Sequence, residues 1–270
     1  MVFAVPMPDE DAWADYNSRY FDNAHGGVSR DSVTAAFHSA MGGLRVAHVL
    51  EYIRERHLTV SSVLEVGPGR ADFARHWLAR QGTVAYHAIE SDASLHSGLA
   101  AQGISLVDGP GDFPTGTSVD LLVLSHVLEH VTDPMDFLGA MTMRLRSGGG
   151  IFIEVPCRDW EHKALDEPHL LFFDKLPMRR LLERCGFEHV RLSYHGQAIT
   201  RLRRQRTANK AWHALRIRLL SWGLVAPFDS AEPLLDCLEL QLERAAVRPF
   251  EAHRESKYPS WWLRAVAVKQ

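Results

Sequence analysis

The chain has 270 residues, enough for one large domain with attachments or for two small domains. Its 46% hydrophobic and 23% charged content is ordinary for a globular protein, and a formal net charge of -3 gives no reason to expect a nucleic-acid or membrane-surface partner. The three dispersed cysteines, Cys157, Cys185 and Cys237, suit a reducing compartment and lack metal-ligand spacing. With no apolar run of membrane-spanning length, and an opening stretch too short and too acidic for a signal peptide, the sequence predicts a cytoplasmic protein.

Residues 1–60 read as a helical extension. Trp13, Tyr16, Tyr20 and Phe21 recur at helical spacing between Asp11 and Asp22, and a second helical pattern from Ser32 to His57 is interrupted at Gly42-Gly43. From residue 61, short apolar runs alternate with longer amphipathic ones, which predicts a parallel sheet with helices on both faces over residues 61–195. Strands are expected at 62–66, 84–89, 104–107, 119–124, 151–155 and 188–194. Helices are expected near 71–81, 92–101, 134–145 and 176–185, with Asp92 as a cap. Residues 201–222 are basic and amphipathic, and 229–244 are acidic and amphipathic. These two stretches predict paired helices in an insertion over 196–258, a candidate homodimer surface. Strand character returns at Trp261–Val268, so residues 259–270 are expected to complete the core sheet.

The chemistry starts at Val63-Leu64-Glu65-Val66-Gly67-Pro68-Gly69-Arg70-Ala71, an apolar run ending in a carboxylate and turning through two glycines toward a helix. Glycines there let a ligand lie against the backbone. A dinucleotide would want a third glycine where Asp72 stands, a carboxylate aimed at the phosphate position, so the nicotinamide reading is disfavoured. Glu90 follows Gly67 by 23 residues at the end of the second strand, where a carboxylate can accept the ribose hydroxyl hydrogens of a nucleoside. Asp108 closes the third strand as a turn residue or a polar ligand contact. Asp120-Leu-Leu-Val-Leu-Ser125-His126-Val-Leu-Glu129-His130-Val-Thr-Asp133-Pro134 is an acid-opened apolar strand with a short polar turn at its end.

Glu65-x-Gly67-x-Gly69-x-Ala71 resembles the first motif of the class I S-adenosylmethionine-dependent methyltransferases, with Ala71 in place of the usual third glycine. The Ser125–Pro134 turn resembles the fourth motif of the small-molecule members, and Glu154-Val155-Pro156, His162 and Pro168–Asp174 resemble the acceptor loop that follows their fifth strand. The resemblance covers roughly residues 60–195 and the final strand. It implies a Rossmann-like seven-stranded sheet whose last strands form an antiparallel hairpin. It also implies S-adenosylmethionine as cofactor, held by Glu65, Gly67, Gly69, Glu90, Asp108, Ser125 and His126, with Tyr16 and Tyr20 on an N-terminal lid. The acceptor implied is a small molecule, methylated at oxygen on a sugar or secondary metabolite; C- or N-methylation and a non-catalytic regulatory scaffold are the alternatives. A hydroxyl acceptor needs a general base, and His126, His169 and His130 are the candidates. The seven- and five-residue spacings of His162, His169 and Asp174 match no standard metal pattern, so no metal is expected.

Overall fold

The computed structural model describes residues 2–20, 23, 32–82, 84–113, 117–163, 168–203 and 250–270. Its centre is a sheet of eight strands in the order β4-β3-β2-β5-β6-β10-β8-β9. The strands are β2 (Ser62–Val66), β3 (Ala85–Ile89), β4 (Ser105–Leu106), β5 (Val119–Ser125), β6 (Leu145–Pro156), β8 (Phe187–Ala198), β9 (Glu255–Ser256) and β10 (Ser260–Lys269). β4, β3, β2, β5 and β6 are parallel, whereas β10 runs antiparallel between β6 and β8. Seven of these strands are the expected Rossmann-like set; β9, two residues on the edge of β8, is the addition. A separate two-residue pair joins β1 (Val2–Phe3) to β7 (Leu171–Phe172).

Alternation along each strand explains why both faces of the sheet are covered. Leu64, Leu122, Leu124, Ile153 and Ala265 point into one core with Leu138 and Met141 of α5 (Pro134–Thr142) and Met178 and Leu182 of α6 (Lys175–Arg184). Val63, Leu121, Val123, Phe152 and Val266 point into the other. There they meet Val46 and Val49 of α2 (Ser32–Arg56), Phe73 and Trp77 of α3 (Asp72–Gln81), and Leu99 of α4 (His96–Ala101). The helix α1 (Glu10–Ser18) is capped by Asp9, whose side chain accepts from the backbone N–H groups of Asp11 and Ala12.

One expectation changes. The Gly42-Gly43 pair does not interrupt the second helix, which runs unbroken from Ser32 to Arg56. A Cβ on Gly42 would stand 2.6 Å from the Asp72 carbonyl carbon, and one on Gly43 would stand 3.4 Å from the His76 ring. The glycines therefore let α2 and α3 approach closely, a packing reason that outweighs glycine's poor helix propensity. Asp120, at the start of β5, lies at the opposite end of the sheet from the ligand turn. It accepts from the backbone and hydroxyl groups of Ser61 and Ser62 and pairs with Arg146. Burial opposes its ionisation, yet the Arg146 hydrogen bond and the Ser61 and Ser62 donors hold its pKa well below the ordinary value. Apart from 201–203, the stretches at 201–222 and 229–244 lie outside the described residues. Among the described residues, no helix is long and apolar enough to cross a membrane.

Candidate active site

The carboxyl ends of β2, β3 and β5 open onto one cavity of about 980 Å³. The turn after β2 needs left-handed backbone at three alternating positions, with φ of +63° at Gly67, +54° at Gly69 and +60° at Ala71. A side chain at Gly67 would press against Val127 Cγ2 at 3.0 Å, on the wall of the cavity. Ala71 adopts the strained conformation with its methyl group fully buried, at a cost of about 1–2 kcal/mol.

Two carboxylates flank this turn. Glu65, 2% exposed, accepts from the Tyr86 hydroxyl at 2.6 Å. Burial pushes its pKa up to about 7, an effect that the Tyr86 hydrogen bond and Arg45 only partly offset. Glu90, just beyond β3, accepts from Gly69 N–H at 3.0 Å and from Asp92 N–H at 2.9 Å, so both oxygens are fixed in place. Burial raises its pKa as well.

At the end of β5, Ser125 Oγ is buried with no hydrogen-bond partner. His126 follows with a φ of +58°, a conformation held by its backbone N–H to Glu154 O at 2.8 Å. Its Nδ1 lies 3.1 Å from Glu129 Oε1 and its Nε2 lies 3.3 Å from Glu154 Oε1. Burial disfavours a charge on this ring, but the hydrogen bonds to Glu129 and Glu154 outweigh burial and raise its pKa. Glu154 is itself wholly buried between Arg45, with Oε1 at 2.7 Å, and Arg264, with Oε2 at 2.6 Å. Against the opposition of burial, these two cations hold Glu154 well below the ordinary carboxylate range.

His130 and His169 stand side by side on the cavity, ring centroids 5.0 Å apart. His130 Nδ1 donates to Pro168 O at 3.0 Å, and His169 Nδ1 lies 2.5 Å from Asp159 Oδ2. Burial lowers the pKa of His130. Over them lies α1. Trp13 Nε1 donates to His130 O at 2.5 Å, the Tyr20 ring meets the His130 ring at 5.4 Å, and Ser91 donates through its hydroxyl to Asn17 O at 3.1 Å. The helix thus bridges the loops after β5 and β3, and Ala14, Asn17 and Tyr20 line the cavity. Phe37, Phe250, Trp261 and Trp262, packed ring against ring, supply an aromatic wall.

A methyltransferase domain family model matches residues 38–192, more than half of the chain. The chain belongs to the class I S-adenosylmethionine-dependent methyltransferases. Solved structures of methyltransferases share the fold at low identity. A methyltransferase from Archaeoglobus fulgidus is 16% identical with a TM-score of 0.50, covering 83% of this chain and 92% of its own. A possible histamine N-methyltransferase from Thermotoga maritima is 14% identical with a TM-score of 0.52, covering 86% of this chain and 89% of its own. The plantazolicin methyltransferase BpumL is 11% identical with a TM-score of 0.53, covering 97% of this chain and 100% of its own. No curated protein sequence matches the chain.

The residues of this methyltransferase fit its cofactor on three observations. The turn at Gly67 is kept open where a Cβ would meet Val127, the Glu90 carboxylate is oriented at a strand end, and Ser125 Oγ is a buried hydroxyl awaiting a partner. Of the sequence-predicted residues, Glu65, Gly67, Gly69, Glu90, Ser125, His126, His130, His169 and Tyr20 share the cavity. Two expected cofactor contacts sit elsewhere: Asp108 is exposed beyond β4, and Tyr16 stacks on Trp13 with centroids 5.2 Å apart. His162 is likewise off the cavity, its ring 6.3 Å from that of Trp261. Arg45, Met41 and Phe37 of α2 also line the cavity, and no sequence signal marks them, because they sit inside an ordinary helical pattern. Strict strand alternation would send Trp261 and Trp262 to opposite faces, but the register of β10 against β8 shifts between Ser260 and Trp262, and the two rings stack 5.0 Å apart on the same cavity.

Proposed function

We propose that this methyltransferase O-methylates a small molecule, a sugar or a secondary metabolite, bound between the His130–His169 pair and the aromatic wall. The observation that supports this reading is one cavity that joins the Glu65–Gly69 turn and Glu90 to His130, whose burial favours the neutral ring, and to His169 and two tryptophans. When bound, S-adenosylmethionine supplies a methyl group already activated on a sulfonium centre. Glu65, Gly67, Gly69, Glu90 and Ser125 would hold it: Glu90 as acceptor for ribose hydroxyls, Glu65 as counter-charge to the amino-acid ammonium group. The apolar walls and α1 exclude water, which strengthens these charge interactions and limits hydrolysis.

The base assignment is refined in the same proposal. His126 presents both ring nitrogens to carboxylates, so both carry protons and no lone pair remains to take one. His126 is therefore a cation that organises Glu129 and Glu154, and His130 with His169 meet the acceptor hydroxyl. The test is transfer of isotopically labelled methyl from S-adenosylmethionine to panels of hydroxyl, amine and carbon nucleophiles. Label recovered in an ether supports the reading. Label recovered only at nitrogen or carbon overturns it in favour of the corresponding N- or C-methyltransferase.

A further inference from the structure

Glu129, His130 and His169 come together across the chain with one ligand atom from each within 4.8 Å of the others. The sequence offers no sign of this, because Glu129-His130 sits on the turn after β5 whereas His169 arrives on the acceptor loop after β6. Three details of the cluster have the chemistry of a cation site. Glu129 is 1% exposed; Oε1 faces His126, while Oε2 is buried with no hydrogen-bond partner. An unmatched buried carboxylate oxygen costs about 1–3 kcal/mol or more unless something binds it. His130 donates from Nδ1 to a backbone carbonyl, Pro168 O. His169 has its Nδ1 against the carboxylate of Asp159, which is itself 2% exposed. The His130 ring, which burial keeps from charging, is thereby set to carry its proton on Nδ1 and its lone pair on Nε2, and the Asp159 carboxylate fixes the His169 ring beside it. A carbonyl or carboxylate behind the distal nitrogen is how proteins orient metal-binding imidazoles.

We propose that Glu129, His130 and His169 bind a divalent transition metal ion at the acceptor side of the cavity. Two imidazoles and one carboxylate suit Zn²⁺, Fe²⁺, Co²⁺ or Mn²⁺ and disfavour Mg²⁺ and Ca²⁺, which select oxygen ligands. Both histidines line the cavity, so an ion they held would be accessible to a bound acceptor. With the ion bound, the His130 and His169 lone pairs would be its ligands and not bases, so an acceptor hydroxyl there would release its proton to water, and its oxygen would then form the bond to carbon as the carbon–sulfur bond breaks. That role rests on the O-methylation reading; binding of the ion does not.

The test uses the untagged full chain, freed of metal with a chelator and titrated with Co²⁺ followed by visible absorption, and with Zn²⁺ followed by calorimetry. One ion per chain is expected. Asp159→Asn, which removes the charge behind the His169 ring, should weaken binding about 10- to 100-fold, and Glu129→Gln and His169→Ala should weaken it at least as much. Binding of S-adenosylhomocysteine by each variant reports that it has folded. If His169→Ala does not fold, the two conservative variants decide. Absence of stoichiometric Co²⁺ and Zn²⁺ binding, or binding that none of the three variants weakens, overturns the proposal. Metal binding with no ether product would keep the site and overturn the acceptor reading alone.

Discussion

Replacing Glu65 by Gln should make the protein more stable and bind its cofactor less well. Glu65 is enclosed by β2, Tyr86 and the ligand turn, and burial lifts its pKa from the ordinary 4.5 to about 7. Each pH unit of such a difference corresponds to about 1.4 kcal/mol, so the ionised side chain costs the folded state about 3 kcal/mol. The sign follows from proton linkage: an acid with a raised folded pKa binds more protons in the folded state than in the unfolded state. The cost is absent below pH 4.5, grows as pH rises from 4.5 to about 7, and is fully present above that. Gln cannot ionise and still offers an oxygen to the Tyr86 hydroxyl. Urea unfolding at pH 4, 6 and 8 should therefore show wild type and Glu65→Gln alike at pH 4, with the variant gaining up to about 3 kcal/mol at pH 8. The same variant should bind S-adenosylhomocysteine more weakly, because the counter-charge for its ammonium group is gone. Parallel stability profiles at all three pH values would refute the reasoning.

Two further outcomes follow from the packing and the charge network. Gly42→Ala drives a methyl group into the Asp72 backbone and should cost about 1–3 kcal/mol as overpacking; an unchanged melting temperature would show that α2 shifts without penalty. His126 should titrate above an ordinary histidine by nuclear magnetic resonance of its ring protons, because Glu129 and Glu154 outweigh its burial. Its stabilising contribution is then fully present below the unfolded pKa and lost as pH rises through the folded one, and a pKa at or below 6.5 would contradict the double-carboxylate geometry.

Strand positions and the ligand turn were legible because buried parallel strands are short apolar runs between longer amphipathic ones. The turn carries its glycines where left-handed backbone demands them. Ser62–Val66 and Asp72–Gln81 coincide with or fall within a residue of their sequence-predicted limits. The Gly42-Gly43 pair misled because propensity is local, whereas the reason for these glycines is a neighbour thirty residues further on, Asp72. Contacts that depend on long-range assembly were likewise hidden. Arg45 reaches Glu154 from a helix, Arg264 reaches it from the last strand, and His169 joins Glu129 and His130 through a loop. Residue type and motif position put His126 and His169 first and His130 third as candidate bases. Their hydrogen-bond partners distinguish them: two carboxylates for His126, a carbonyl for His130 and one buried carboxylate for His169. Asp108 and Tyr16 had the right spacing, but neither lines the cavity: Asp108 is exposed beyond β4 and Tyr16 stacks on Trp13.

The central claim is that the cavity at the strand ends holds S-adenosylmethionine, with Glu90 on its ribose. Calorimetric titration of S-adenosylhomocysteine into wild type and Glu90→Ala tests it most directly. A charged hydrogen bond contributes about 1.5–3 kcal/mol, so the account predicts micromolar binding that weakens about ten- to a hundredfold in the variant. No binding to wild type, or equal affinity for both proteins, would contradict it.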